Sequence, residues 1–105
     1  MTLYVQVTTT TESKADAQSL AGAIVESSLA ACVQIIGPIT STYRWRGKIE
    51  TAEEWLCVIK SKGELYEELE GAIRAVHAYQ EPEIIATKIV KGSAGYLAWL
   101  DENTR

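Results

Sequence analysis

A two-residue turn signal, Arg46-Gly47, joins two long strand-like segments, and this hairpin constrains the fold more than any other feature of the sequence. The glycine supplies the positive φ that such a tight turn needs. The returning segment, 49–60, is apolar on both faces in its second half, which is typical of a strand buried on both sides. Ten-residue strands reach about 33 Å, whereas a compact domain of this length has a radius of gyration of about 13 Å. We therefore expect the hairpin to extend beyond its own domain.

Two aromatic residues, Tyr43 and Trp45, lie on one face of the incoming strand, close to the tip of the hairpin. Exposed aromatic side chains and unpaired strand edges are both unfavourable in water. A second copy of the chain is the simplest cover, so we interpret Tyr43 and Trp45 as part of an oligomer interface. Tyr79, in the loop 77–82, is predicted to pack at a subunit boundary as well. The alternative is that Tyr43 and Trp45 stack a planar small ligand in a cleft between subunits.

The rest of the sequence alternates between strand and helix patterns. Period-2 alternation predicts strands at 2–8, 31–36 and 83–90, and helical spacing predicts helices at 14–28 and 64–77. A capping box of Ser13 and Asp16 marks the start of the first helix, and Ser93 is predicted to cap a short final helix. The order β-α-β-β-α-β with a C-terminal helix predicts one α+β domain over residues 1–105. This domain is a ferredoxin-like sandwich, in which two helices cover one face of an antiparallel four-stranded sheet.

The charge balance argues against two classes of partner. Fourteen acidic and ten basic residues leave a net charge of −4, so we expect no nucleic acid partner and no binding to anionic membranes. No apolar run approaches the ~20 residues that span a bilayer, and the N-terminal segment lacks the features of a signal peptide, which predicts a cytoplasmic protein. Cys32 and Cys57 lie in apolar strands and are predicted to be buried, slowly reacting thiols.

Four stretches distributed over the whole chain carry a family resemblance: 29–35 (LAACVQI), 40–50 (TSTYRWRGKIE), 77–84 (HAYQEPEI) and 96–100 (YLAWL). Together they resemble the CutA family, which is named for tolerance to divalent cations. The resemblance implies a ferredoxin-like subunit in a tight homotrimer, with long hairpins that pair between subunits. It also implies a non-enzymatic role in the response to divalent metal ions, and a structural kinship with PII-type signalling trimers. A PII-like trimer that binds a small molecule is therefore an alternative function.

His77 is the only histidine, so the chain lacks the set of imidazole ligands that zinc or copper usually takes. A metal site would need Cys32 or Glu83 as further ligands, or residues from neighbouring copies. The alternative is that His77 closes the second helix near its C-terminal carbonyls. We expect no required cofactor, and weak binding of a divalent metal such as copper, borne largely by His77.

The sequence offers little to an enzyme on this fold. Cys32 and His77 would form a nucleophile–base pair only with an orienting carboxylate or amide, and none is evident. Acylphosphatase-like chemistry would need an arginine after the first strand, where Thr8–Thr11 stand instead. Lys60, at the end of a buried strand, is a candidate anion ligand, although lysines at strand ends usually extend into water. An enzyme that acts on a small molecule is the second alternative.

Overall fold

The secondary structure follows the predicted order in the computed structural model, which describes residues 2–105. A single 3₁₀ turn, Gly63–Leu65, precedes the second helix. The elements are β1 (Tyr4–Thr11), α1 (Lys14–Glu26), β2 (Cys32–Trp45), β3 (Lys48–Lys62), α2 (Tyr66–Val76), β4 (Ile85–Lys88) and α3 (Ala94–Glu102). The predicted β-α-β-β-α-β order with a terminal helix is confirmed.

The four strands form one antiparallel sheet in the order β2-β3-β1-β4. Side chains on one face of β1 and β3 pack against α1 and α2, which makes this the helix-covered face of a ferredoxin-like sandwich. Because side chains alternate along a strand, the intervening residues lie on the opposite face, which we call the open face. The buried apolar cluster on the helix-covered side comprises Val5, Val7, Ala17, Leu20, Ile24, Leu29, Ala30, Cys57, Ile59, Leu69 and Ile73.

Two local signals act as the sequence predicts. The Ser13 hydroxyl accepts a hydrogen bond from the backbone N–H of Asp16 at 3.1 Å, and α1 begins at the next residue after this N-cap. At the hairpin tip, Trp45 pairs with Lys48 across a two-residue turn, in which Arg46 and Gly47 have φ values of 51° and 81°. Positive φ at both central residues is the type I′ geometry that matches the twist of the flanking strands. The sequence indicated this conformation for the glycine only.

The strand boundaries differ from the predictions where pairing extends or limits a strand. β1 continues through Thr11, since its final residue pairs with Trp55 of β3. β2 is not interrupted at Gly37-Pro38, because the strand absorbs these residues as an irregularity in register between Ile36 and Ile39. β4 is shorter than predicted, since it lies at the edge of the sheet and pairs only with four residues of β1.

The helices also show two differences. Ser93 occupies the N-cap position of α3, but its side chain makes no capping hydrogen bond, so this predicted cap is wrong. The longest helix, α1, has 13 residues, and over residues 2–105 no helix has the length and apolar character that a bilayer crossing requires. Of the two free cysteines, Cys57 is fully buried as predicted, and burial raises the pKa of its thiol. Cys32 is only half-buried, because it begins a strand at the edge of the sheet.

The β2–β3 hairpin extends beyond the domain, as the strand lengths predict. The molecule measures 44 × 25 × 23 Å, and the two strands stay paired to the last residues before the turn. Near the tip, Tyr43 is 44% exposed, Trp45 is 41% exposed and Ile49 is 68% exposed. The single chain therefore leaves several large apolar side chains in water.

One buried polar group lacks a partner. The Thr9 side chain is fully buried on the helix-covered face, and its Oγ1 is the single buried side-chain polar atom without a hydrogen bond among residues 2–105. Two positions along the same face, Thr11 is also buried, but its Oγ1 donates to the Ser13 carbonyl at 2.8 Å. These two threonines form a matched pair that differs mainly in hydrogen bonding.

Replacing Thr9 with valine should raise the free energy of unfolding by about 1 kcal/mol, because a methyl group replaces an unsatisfied buried hydroxyl. The same change at Thr11 should lower it by about 1 kcal/mol, since a satisfied hydrogen bond is lost. Urea unfolding at one fixed protein concentration measures both values. A loss of stability in Thr9→Val equal to that in Thr11→Val would contradict the prediction.

Candidate functional site

A groove of about 760 Å³ runs along the open face between the β2–β3 hairpin and the loop 77–84. Tyr43 and Trp45 lie on one wall, and Tyr79 and Glu83 lie on the other, so four residues singled out by the sequence are found together. The remaining lining residues are Thr10, Ser41, Thr42, Glu54, Ala78, Gln80, Glu81 and Pro82.

His77 holds the start of the loop in place. Its Nε2 lies 2.7 Å from the Thr10 carbonyl oxygen, and its Nδ1 accepts from the backbone N–H of Tyr79 at 3.1 Å. These contacts require the neutral tautomer with the proton on Nε2, because a carbonyl oxygen only accepts and an N–H only donates. His77 lies at the C-terminal end of α2 as predicted. Its ring, however, joins the helix end to β1 rather than to the helix carbonyls.

A hydrogen bond between Tyr79 and Glu54 closes the floor of the groove. The Tyr79 hydroxyl donates to Glu54 Oε2 at 2.7 Å, and Glu54 is only 7% exposed. Burial raises the pKa of the Tyr79 phenol far above its usual value, and the hydrogen bond to Glu54 raises it further. Tyr79 therefore stays protonated and acts as a donor at neutral pH.

Weaker polar contacts stabilise the rim of the groove. Arg46, at the hairpin tip, donates from Nη2 to Gln80 Oε1 at 3.4 Å, and its guanidinium lies 5.5 Å from the centre of the Trp45 ring. On the loop side, Arg74 Nη2 lies 3.4 Å from Glu81 Oε2. These contacts are exposed and contribute little energy singly; the first joins the hairpin tip to the loop, and the second joins α2 to the loop.

The predicted metal ligands are not brought together within one chain. Glu83 lies at the groove, where its Oε2 accepts from Thr8, and His77 lies beside Thr10. Cys32 pairs with Lys60 of β3, which in turn pairs with Gln6 of β1. Gln6 is four residues before Thr10, so Cys32 lies about 13 Å along the sheet from the level of Thr10. It is also two strands away from β1. Across residues 2–105, no group of three or more His, Cys, Asp or Glu side chains is placed to hold a metal ion. A metal site that uses His77 with Cys32 or Glu83 would therefore need ligands from a neighbouring copy, and it stays a prediction.

The same separation removes the alternative of a Cys32–His77 nucleophile–base pair within one chain, because direct proton transfer needs hydrogen-bond distance. Lys60 is half-buried on β3, and its Nζ donates to Gln34 Oε1 at 2.8 Å. This partner is neutral, so Lys60 forms no ion pair through this contact. Anion binding by Lys60 stays a prediction.

Glu54 is the groove residue that sequence analysis missed. It lies in the stretch TAEEW, where two adjacent glutamates read as a solvated strand. The available signal was the period of two: Glu54 is in phase with Leu56 and Val58, so it shares their face of a strand that is buried in this region. A carboxylate at such a position needs a donor, and Tyr79 provides it from 25 residues away.

Residues 5–103 match the family described as "CutA1 divalent ion tolerance protein". The chain belongs to the CutA1 family. It is 41% identical over 95 residues to a divalent-cation tolerance protein CutA from Thermus thermophilus, an alignment that covers 90% of this chain and 92% of the relative. It is 43% identical over 88 residues to protein CutA from Homo sapiens, which covers 84% of this chain and 49% of that longer relative.

Solved structures agree with this membership of the CutA1 family. The Thermus thermophilus protein superposes with a TM-score of 0.95 at 39% identity, over 97% of this chain and 99% of the other. CutA1 from Oryza sativa superposes with a TM-score of 0.96 at 40% identity, over 98% and 94%. Relatives are named as chloroplastic in Arabidopsis thaliana and periplasmic in Archaeoglobus fulgidus, so family membership alone does not assign a compartment.

Replacing Tyr79 with phenylalanine should lower the free energy of unfolding at neutral pH by about 1–3 kcal/mol, because the buried Glu54 carboxylate loses its donor. The pH dependence should change as well. The native pKa of Tyr79 is raised, so its contribution is complete below the unfolded pKa of about 10 and declines as pH rises above it.

Urea unfolding of both proteins between about pH 8 and pH 11 tests this sign, since the stability difference should shrink toward alkaline pH. Tyr66 and Tyr96, whose pKa values are also raised by burial, remain in both proteins and cancel in the comparison. A stability difference between the two proteins that stays constant with pH would show that the pKa of Tyr79 is the same in the folded and unfolded chains, and would contradict the prediction.

Proposed function

We propose that this protein is a non-enzymatic homotrimer that contributes to tolerance of divalent cations in the cytoplasm. Family membership supports the link to divalent cations. The observation that supports assembly is the protruding hairpin, which leaves Tyr43 and Trp45 more than a third exposed in the single chain. The separation of Cys32 from His77 supports a role without cysteine catalysis.

The open face gives the assembly a continuous contact surface. Ile36 on β2 is 52% exposed and Ile85 on β4 is 55% exposed, and both lie on the same face as Tyr43 and Trp45. β2 and β4 are also the two edge strands, so each carries backbone groups that the sheet does not pair. A neighbouring copy that pairs with an edge strand and covers part of this face would satisfy both needs together.

Sedimentation equilibrium at micromolar concentration should give a mass about three times the 11.5 kDa of one chain. Replacing Tyr43 and Trp45 with alanine should weaken assembly by about 2 kcal/mol or more, because filled aromatic pockets dominate such interfaces. Val25→Ala is the matched control, since Val25 is 41% exposed but lies on α1, across the sheet from the open face. A monomer mass for the wild type would overturn the proposal.

We propose that copper binds weakly and without a dedicated site in one chain. Imidazole is the best copper ligand present at neutral pH, while Glu81 and Glu83 provide only hard oxygens. Both ring nitrogens of His77 are already engaged, by the Thr10 carbonyl and by the Tyr79 N–H. A copper ion must displace one of these partners, which lowers its apparent affinity.

Calorimetric titration of the wild type with Cu²⁺ should therefore give micromolar or weaker binding, and Zn²⁺ should bind more weakly still. His77→Ala should reduce this weak Cu²⁺ binding further. Submicromolar affinity that disappears in His77→Ala would show a dedicated site and contradict the proposal. Affinity that His77→Ala leaves unchanged would assign the uptake to other groups.

A trimer that responds to a small molecule, as PII-type proteins do, is the second candidate. The groove favours it, because 760 Å³ lies within the range of about 300–1,000 Å³ that small-molecule sites occupy. An enzyme on this fold has less support, since Cys32 and His77, the nucleophile and base that the sequence offered, do not meet.

A further inference from the structure

We propose that the groove binds an organic cation, namely a primary amine or guanidinium compound with a flat or aliphatic body. The charged end would bond to Glu54, and the body would extend along the hairpin toward Tyr43, which pairs with Glu50, four residues from Glu54 on β3. This inference does not rest on the role in cation tolerance, and it concerns a different class of ligand from a metal ion.

The first argument is the incomplete partnership of Glu54. Its side chain is more than nine-tenths buried, and one oxygen, Oε2, accepts from Tyr79. No hydrogen bond to the other oxygen, Oε1, and no ion pair of Glu54 is found within residues 2–105, and Oε1 is not among the fully buried polar atoms without a partner, so it is accessible. The residue lines the groove, so its remaining surface opens there. This accessible oxygen can accept a hydrogen bond from a ligand, and a ligand ammonium would supply both the donor and a positive charge beside the carboxylate.

The second argument is the character of the walls. Tyr43 and Trp45 present partly exposed rings on the same face of the hairpin as Glu54. The Trp45 ring already accepts a cation, since the Arg46 guanidinium lies 5.5 Å from its centre at the rim. Glu81 and Glu83 add negative charge, although Glu81 is paired with Arg74. The lining contains three glutamates and no lysine or arginine, with the Arg46 guanidinium at the rim, so the charges of the lining itself favour a positive ligand.

The third argument concerns size. A divalent metal needs several ligands at about 2.0–2.6 Å, and the carboxylates of this groove are spread too widely to form such a group. The volume of about 760 Å³ suits a ligand with a body as well as a charged end. Spread acidic groups with aromatic surfaces between them match an organic cation better than a bare ion.

The test compares two probes of the same shape on the full-length protein in its native assembly. Tyramine carries an ammonium group, and tyrosol carries a hydroxyl at the same place, so their difference isolates the charge. We expect calorimetry to show tyramine binding at least ten-fold more tightly than tyrosol. Glu54→Gln should weaken tyramine about ten-fold or more, which corresponds to loss of one charge-assisted hydrogen bond, and should leave tyrosol unchanged.

Glu53→Gln is the matched control, because it removes the same charge from the neighbouring position of β3, which is exposed and outside the groove lining. It should leave both affinities unchanged. Circular dichroism establishes that the variants fold, and the comparison of the two probes on the wild type needs no variant. Equal affinity for tyramine and tyrosol, or tyramine binding that Glu54→Gln does not affect, would overturn the inference.

Failure of this inference can be told apart from failure of the trimer. If a neighbouring copy fills the groove, tyramine will not bind the wild type, while sedimentation of the same sample still reports an oligomer. That result overturns the organic-cation site and leaves the trimer intact. A monomer that binds tyramine through Glu54 would overturn the trimer and leave the organic-cation site intact.

Discussion

The register of β3 between β1 and β2 is the constraint on which the rest of the structure depends. β3 pairs along eight residues of β1, from Thr11↔Trp55 to Tyr4↔Lys62, and with β2 to the hairpin tip. Because side chains alternate with a period of two, a shift of one residue would exchange the two faces. The observed register places Cys57 and Ile59 in the core. It thereby places Glu54 opposite Ile39 on the open face, the same face as Tyr43 and Trp45, where the groove forms.

The groove also depends on how the chain leaves α2. His77 ends the helix, and its ring joins the Thr10 carbonyl of β1 to the Tyr79 N–H, so the loop begins against the sheet. Tyr79 then reaches Glu54 across the sheet surface. One histidine therefore supports a tyrosine that donates to one oxygen of a buried carboxylate. This structural use of His77 competes with metal binding. This competition is the physical reason for expecting weak copper uptake.

Tyr43 and Trp45 belong both to the exposed hairpin and to the groove lining, and these two settings favour different binding partners. Exposed Tyr43 and Trp45 favour contact with another copy, while their place in the lining of the same groove as Glu54 favours a ligand. Both partners are accommodated if a neighbouring subunit covers one side of the rings and leaves the groove open on the other. Assembly would then narrow the groove and lower the local dielectric, which strengthens interaction between Glu54 and a positive ligand.

The sequence alone determined the order of elements, the Ser13 cap, the turn at Arg46-Gly47 and the overlong hairpin, because these depend on local periodicity, turn chemistry and chain length. It also identified Tyr43, Trp45, Tyr79 and Glu83, which the structure gathers around one groove. Only the tertiary structure decided that Cys32 lies far from His77, that Glu54 is buried, and that Thr9 lacks a partner. Each of these depends on pairing between residues distant along the chain. Local patterns carry no information about which distant donor meets which acceptor.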